Sequence, residues 1–309
     1  MNISKRQHYV WRSYLNSWAA ENLIWCNRNG VIFHSQLMNV GQEKFFYEVM
    51  NMNDEEISFI RLIGNSNNRP EMNGLIDDII NYFRTPALIE NFLTSINIPD
   101  QESWNLHREA KVNAHEHIHS SLESESRIIL DKLLDNNISV MDNETDKYNF
   151  IQYISFQYLR TKKQKNRIIN MKLNLPHNIN EKINIINVWG PISVALSYQL
   201  AMGVIGHRKP FKLKILNNTT NINFITGDQP VINMRAVGKQ PSTEVHDLDI
   251  YHPLSPKIAI ILSPDITENR AKNVNDPDVI KEFNNMIVSE SLEQTYGSVK
   301  NDVDRSSPN

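Results

Sequence analysis

The sequence predicts an α+β protein in which a mainly helical body packs on a small, largely antiparallel sheet. Helical apolar spacing dominates the middle of the chain, and short apolar runs separated by Asn, Gly, Asp and Pro follow Pro210. A hairpin signal near the N-terminus suggests that early and late strands share one sheet. We therefore expect a single domain over 1–300, comprising a helical body at about 74–206 and sheet regions at about 20–50 and 211–264, with a flexible tail at 301–309.

The N-terminal segment predicts a short helix followed by a hairpin. Residues 7–19 carry an apolar stripe at helical spacing, and His8 and Arg12 lie four residues apart on the opposite edge. The turn sequence Asn29-Gly30 then separates two apolar runs, which is a strong hairpin signal.

Helical patterns follow, and the strand pattern comes after them. The predicted helices are at about 74–97, 103–135, 146–173, 178–206 and 277–294, and the predicted strands at 211–216, 222–226, 231–234, 248–251 and 258–262. The stretch Ile183 to Gly206 carries no charge and is long enough to span a bilayer. Its Asn, Gly, Pro, Ser and Gln residues favour a buried core helix instead, so no membrane partner is expected.

Composition limits the function classes only loosely. The net charge is −3 over 309 residues, so any affinity for nucleic acid has to come from local patches. The single cysteine, Cys26, excludes a disulfide framework and a cysteine-based zinc site. Together with the lack of an apolar leader in the first thirty residues, it predicts a cytoplasmic location.

Several motifs resemble a known family. Gln7-His8-Tyr9-Val10, the later Gly227-Asp228-Gln229-Pro230 turn, Gln157 with Arg160-Thr161, and His252-Pro253-Leu254-Ser255-Pro256 are similar to the motifs of bacterial domain-of-unknown-function family 4238. Two departures stand out: Trp11 stands where the family usually has Pro, and Gly227 stands where Ser is commoner. The resemblance implies an architecture and nominates a site, but it implies no reaction.

The motif residues suggest a polar pocket between the helices and the sheet. We expect His8, Arg160 and Asp228 to converge there as catalytic groups: His8 transfers a proton, Arg160 holds a phosphate or carboxylate, and Asp228 orients His8 or binds a cation. The expected substrate-binding residues are Gln7, Tyr9, Gln157 and Arg167, of which Gln157, Arg160 and Arg167 share one helix face. The structural alternative is that His8 bonds a backbone carbonyl, that Asp228 caps its own turn, and that Arg160 and Asp228 form an ion pair.

A second motif competes with this site. His115-Glu116-x-x-His119 lies in a predicted helix, and this spacing puts two zinc ligands and a general base on one face. No third ligand is obvious, although Glu123 and Glu125 are near. The alternative is a solvated helix face with adventitious metal affinity. No cofactor is expected at the first site, although a divalent metal would be compatible with it.

Two runs of basic residues favour an anionic partner. The runs are Arg160, Lys162, Lys163, Lys165, Arg167 and Lys172, and then Arg208, Lys209, Lys212 and Lys214. The favoured function is therefore a hydrolase acting on nucleic acid or a nucleotide, such as a toxin-like or phage-defence effector. A zinc peptidase using His115, Glu116 and His119 is one alternative, and a non-catalytic ligand-binding or sensing module is the other. A protein partner also remains open.

Overall fold

The computed structural model describes residues 6–66, 69–96, 100–170, 181–240, 243, 245 and 247–304. The α+β class is confirmed. The helices are α1 (Arg12–Leu15), α2 (Asp54–Gly64), α3 (Pro70–Ser95), α4 (Gln101–Leu134), α5 (Glu144–Leu159), α6 (Lys162–Ile169), α7 (Ile185–Ile205), α8 (Pro277–Glu290) and α9 (Lys300–Asp304). The strands are β1 (Arg6–His8), β2 (Leu23–Arg28), β3 (Val31–Gln36), β4 (Gln42–Lys44), β5 (Lys212–Asn218), β6 (Thr226–Gly227), β7 (Ile232–Asn233), β8 (Ile250–Pro253), β9 (Ile258–Ser263), β10 (Arg270–Val274) and β11 (Gln294–Gly297).

Several helices begin where a side chain can accept a hydrogen bond from the exposed amides of the first turn. Asn53 forms a capping box with Glu56 at the start of α2. The side chains of Asp100, Asn143 and Thr161 accept hydrogen bonds from first-turn amides of α4, α5 and α6. The short polar residues of this Asn-rich chain therefore set the helix boundaries.

The described strands form three sheets, and strands of early and late sequence meet in one of them. That sheet has the order β3-β2-β11-β6, so the N-terminal hairpin joins the C-terminal strands as predicted. Asn29 and Gly30 both have positive φ at its turn, the conformation that the Asn-Gly pair favours. The second sheet has the order β10-β5-β9-β8-β7, in which β10 pairs with β5 in parallel and the other pairs are antiparallel. The third is the short pair β1-β4.

The N-terminal prediction of one helix over 7–19 is only partly right. Residues 6–8 form β1, and helical structure starts at Arg12 and continues as a 3₁₀ turn over Asn16–Trp18. Trp11 has an extended backbone (φ −60°, ψ 125°) at the boundary. Pairing of β1 with β4 thus outweighs the local helical spacing of the first residues.

The helical body packs α5 against α7, with α2, α3, α4 and α6 around them. Val188 and Ile192 of α7 are fully buried in the core. Helix α7 is long and apolar enough to span a bilayer, with mean hydropathy 1.4 over its most apolar window, of which 67% is buried inside the protein. It therefore has the burial expected of the predicted core helix.

Two predictions near the C-terminus need correction. Residues 300–304 form α9, although a flexible tail was predicted from 301; the carboxylate of Asp302 accepts hydrogen bonds from the backbone amides of Ser298 and Val299. The rest of that tail lies outside the described residues. Strands β10 and β11 were not predicted, because neither carries an apolar alternation.

Candidate functional site

Gln7 of β1 is buried, and both ends of its amide bond the backbone. Its Nε2 donates to the carbonyl of Val112 at 2.7 Å, and its Oε1 accepts from the amide of Tyr47 at 2.7 Å. Gln7 therefore fastens β1 to α4 and to the loop before α2. These two contacts are structural, and the expected substrate contact of Gln7 stays a prediction.

His8 lies beside Arg160, as predicted, but the contact is through its backbone. The carbonyl of His8 accepts a hydrogen bond from Nη2 of Arg160 at 2.6 Å. The ring Nε2 is shielded from solvent and has no hydrogen-bond partner among the described residues. Burial lowers the pKa of His8 to about 4, and the charges of Arg12 and Arg160 act in the same direction. The imidazole is therefore neutral at neutral pH and can accept a proton.

Arg160 lies at the end of α5 and is buried. Its guanidinium forms an ion pair with Glu123 of α4, and its Nε donates to Oη of Tyr47 at 3.0 Å. With the bond to the carbonyl of His8, these contacts join β1, α4 and α5 at one point. Each nitrogen of the guanidinium is engaged by a protein group, so we interpret Arg160 as a residue that holds His8 in place, and its contact with a phosphate stays a prediction.

Asp228 follows β6 and is also buried. Its carboxylate accepts hydrogen bonds from the amides of Leu292 at 2.7 Å, Glu293 at 2.7 Å and Gln294 at 3.0 Å. Burial raises the pKa of Asp228 to about 6, against the opposing effect of the three amides. These contacts fix the turn that leads into β11, and no hydrogen bond among the described residues joins the carboxylate to His8 or Arg160.

Tyr9 and Gln157 are two further residues that were expected to bind substrate, and both are buried. Burial raises the pKa of Tyr9, and the nearby charge of Asp228 raises it further. Gln157 is buried one turn before Arg160 on α5, and neither its Oε1 nor its Nε2 has a partner within the described part of the chain. Unpaired buried amides are costly, so Gln157 is the predicted binding residue with the most unused hydrogen-bonding capacity.

The prediction that Gln157, Arg160 and Arg167 share one helix face is wrong. Helix α5 ends at Leu159, and a second helix, α6, begins at Lys162 with Thr161 as its cap. Arg167 therefore belongs to another helix than Gln157, and it bonds Tyr158. The break occurs because Arg160 turns into the interior and Thr161 bonds the side chain of Gln229.

His115 and His119 are buried neighbours on α4, with ring centroids 4.9 Å apart. Both rings pack on Tyr47, and Nε2 of each lacks a partner in the described chain. Burial lowers the pKa of His115 to about 3 and that of His119 well below its ordinary value. Glu116 is half-buried, and burial raises its pKa. No cluster of three or more His, Cys, Asp or Glu side chains that could hold a metal ion occurs in the described residues.

Three residues of the first basic run, Arg160, Lys162 and Lys163, form ion pairs within the protein. Lys162 pairs with Glu43 and Glu293, and Lys163 pairs with Glu290 at 2.6 Å. Lys165 donates to the carbonyl of Phe46 at 3.0 Å. In the second run, Lys209 pairs with Asp265 at 2.6 Å. Lys172 lies outside the described residues.

A cleft of about 780 Å³ was not predicted. Its walls come from α1 and the turn after it, the end of β3, and the last two turns of α4, with Leu254 of the Pro-Leu-Ser-Pro motif at one side. Arg12 and Arg127 both line it, and neither guanidinium forms an ion pair with a described carboxylate. Glu21 and Asp131 line it as well. Arg127 lies four residues after Glu123, a spacing that places both on one side of α4 and was visible in the sequence.

His8 connects the buried Arg160 to this cleft. Its ring is hydrogen-bonded to the backbone of Leu37, which lines the cleft, and its pKa responds to the charges of both Arg12 and Arg160. The described chain thus places a neutral imidazole behind a wall that carries two unpaired arginines.

The comparisons with known proteins give one match. A family model described as "Protein of unknown function (DUF4238)" matches residues 6–301. Neither a curated protein nor a solved structure matches the chain.

Proposed function

The chain belongs to the DUF4238 family, and we propose that it is a hydrolase acting on a phosphate ester of a nucleotide or nucleic acid in the cleft between α1 and α4. One observation carries the proposal: Arg12 and Arg127 face the same cleft from two elements, without ion pairs to described carboxylates. Unpaired guanidinium groups in a concave site are suited to bind phosphate oxygens in pairs.

The size and lining of the cleft fit a ligand of this class. A volume of about 780 Å³ is within the usual range for small-molecule sites. Leu130, Leu134 and Leu254 provide an apolar wall for a base, whereas Glu21 and Asp131 can accept hydrogen bonds from ribose hydroxyl or amino groups. The mixture of cationic, acidic and apolar side chains matches a nucleotide better than it matches inorganic phosphate alone.

His8 is the proposed general base. A neutral imidazole removes a proton from a water molecule as the water oxygen bonds phosphorus; the ester P–O bond breaks, and the leaving oxygen takes a proton from solvent. Since Nε2 is shielded from solvent, the proposal requires the wall near Leu37 to move when the ligand binds. Arg160 is a positioning residue in this scheme because it holds the His8 carbonyl, and Asp228 has a folding role.

The proposal includes a cytoplasmic location and a toxin-like or phage-defence role. The location is supported by Cys26, which is buried and forms no disulfide. The role is supported by the kind of ligand that the cleft would accept. A divalent metal bound together with the phosphate at Glu21 and Asp131 is compatible with the lining, and no step above depends on it.

The test is a hydrolysis assay with nucleotides, RNA and DNA. We expect turnover of at least one substrate, and a decrease of about 10²–10³-fold for Arg12→Gln or Arg127→Gln, which remove groups that stabilise phosphate charge. Arg208→Gln is the matched control, since Arg208 is exposed and outside the cleft. Equal loss in Arg208→Gln would contradict the assignment. Thermal stabilisation by a nucleotide that depends on both arginines, without any product, would instead support the ligand-binding alternative.

A further inference from the structure

Four basic residues lie on one face of the sheet formed by β5 and its neighbours. The parallel pairing of β10 with β5 places Arg270 beside Lys214, and Lys272 lies two residues further along β10. Because residues that pair, and residues two apart, share a face of a sheet, Lys212 belongs to the same group. We call Lys212, Lys214, Arg270 and Lys272 the cationic sheet face.

The basic part of this face is at least partly exposed, whereas Leu216 and Val274, further along the same face, are buried. Leu213 and Ile215, which alternate with Lys212 and Lys214 along β5, are fully buried. Arg270 and Lys272 are exposed on the edge strand, and Lys214 is partly exposed between them and β9. The basic side chains are therefore available to a partner in solution.

The positive charges of this face are poorly compensated. Within the described residues, Lys212, Lys214 and Lys272 form no ion pair, and Arg270 meets only Glu268 at 3.5 Å, where both side chains are exposed. Burial lowers the pKa of Lys214, and the charges of Arg270 and Lys272 lower it further. The three cations are thus close enough to repel one another, so an anionic partner would relieve this repulsion.

We propose that the cationic sheet face binds the sugar–phosphate backbone of a nucleic-acid strand. Side chains two residues apart on a strand are separated by roughly 6.6–6.8 Å, and neighbouring strands by about 4.8 Å, which gives a regular array of cations. Such an array neutralises successive phosphates and gives affinity without sequence selectivity.

An anionic membrane is the less suitable partner. Peripheral membrane binding usually combines basic residues with exposed apolar side chains that enter the lipid. None of the large apolar side chains that are exposed in the described residues lies on β5 or β10. The inference goes beyond the proposed hydrolysis, because binding here uses residues outside the cleft and requires no bond cleavage.

The test is the salt dependence of binding to a fluorescently labelled single-stranded oligonucleotide, measured by anisotropy. We expect binding at low salt that weakens as salt increases. In the triple variant Lys214→Gln, Arg270→Gln, Lys272→Gln we expect the slope of log affinity against log salt to be smaller by about 2, because each phosphate contact on a single strand contributes about 0.7. At low salt the affinity should decrease by about tenfold or more.

A matched triple variant removes the same kinds of charge elsewhere. It consists of Lys182→Gln, Arg61→Gln and Lys281→Gln, whose exposed partners are Glu55, Asp77 and Asp278. This control should bind like the unmodified chain, and failure of the hydrolase proposal would be seen separately in the hydrolysis assay. No oligonucleotide binding at low salt, an unchanged slope in the first triple variant, or binding confined to anionic lipid vesicles would each overturn the inference.

Discussion

Arg160 and Glu123 form an ion pair in the protein interior, with side chains only 4% and 16% exposed. A buried charge is tolerated when a partner and further hydrogen bonds replace its lost hydration. Here Tyr47 and the carbonyl of His8 complete the set around the guanidinium. The pair therefore determines the position of the candidate base as well as the packing of α4 on α5.

Removal of one partner should be costly. We expect Glu123→Ala to lower the free energy of unfolding by about 3–5 kcal/mol, because it leaves the guanidinium uncompensated. Adding Arg160→Met should recover part of that loss, since no buried charge remains. Urea unfolding of both single variants and the double variant measures the coupling. If Glu123→Ala costs no more than Glu125→Ala at an exposed site on the same helix, the pair is not stabilising the fold.

Asp228 should behave as a folding residue. Asp228→Asn removes the charge and introduces an amide donor against backbone amides, so we expect a loss of about 1–3 kcal/mol for each amide that loses its acceptor. Hydrogen exchange at Leu292, Glu293 and Gln294 should accelerate locally, and the exposed Asp142→Asn should leave it unchanged. A stable Asp228→Asn protein with normal exchange and no hydrolysis would instead indicate a catalytic role.

The buried histidines predict sensitivity to acid. The pKa of His115 is lowered to about 3 and that of His252 to about 4, and burial is the first cause in both. The unfolded chain takes up these protons near pH 6.5, whereas the folded chain does not, so the free energy of unfolding decreases as pH falls below about 6.5. Each histidine contributes up to about 1.4 kcal/mol per pH unit. Asp228, with its pKa raised to about 6, acts in the opposite sense for one proton.

Single variants can separate these contributions. We expect His115→Phe to reduce the proton uptake on unfolding by up to about one between pH 3 and 6.5, the range set by the shift of the His115 pKa. His117→Gln, on the exposed side of the same helix, is the control. The comparison is of unfolding free energies from denaturant titrations at several pH values. An identical pH dependence in His115→Phe and the unmodified chain would show that His115 is not neutral in the folded protein.

The zinc motif can be tested by elemental analysis. We expect less than one zinc per chain in the purified protein, because Glu123, the carboxylate one turn beyond His119, is engaged by Arg160 and no group of three ligands is formed in the described residues. His115→Phe should not change the metal content. One zinc per chain that is lost in His115→Phe but retained in His117→Gln would make the peptidase the better hypothesis.

Local patterns made much of the fold predictable, and long-range contacts account for the failures. The Asn29-Gly30 hairpin and the helices α3, α4, α7 and α8 follow from short-range spacing and turn chemistry, whereas α2 was not predicted. The end of α5 does not, because Arg160 is drawn inward by Glu123, 37 residues away. Strand β10 has an exposed polar sequence and is a strand only because it pairs with β5.

The candidate site was predictable only in part, because many of its contacts also join residues that are far apart in the sequence. The proximity of His8 to Arg160 was expected from the motifs, but the partners of Asp228 are amides 64–66 residues away, and amides have no sequence signature. Gly227 illustrates this limit: a Cβ there would lie 2.0 Å from Oγ of Ser291. The space beside Ser291, rather than the chemistry of a hydroxyl, therefore determines which residue fits at position 227.

The pairing of β11 with β2 also affects how the chain folds during its synthesis. Residues 23–28 are synthesised long before their partner residues 294–297. Until β11 is synthesised, one edge of the β2–β3 hairpin is unpaired, and unpaired strand edges can form hydrogen bonds with other chains. A nascent chain that stops before β11 would be an aggregation risk rather than a smaller functional protein, so β11 protects the strand with which it pairs.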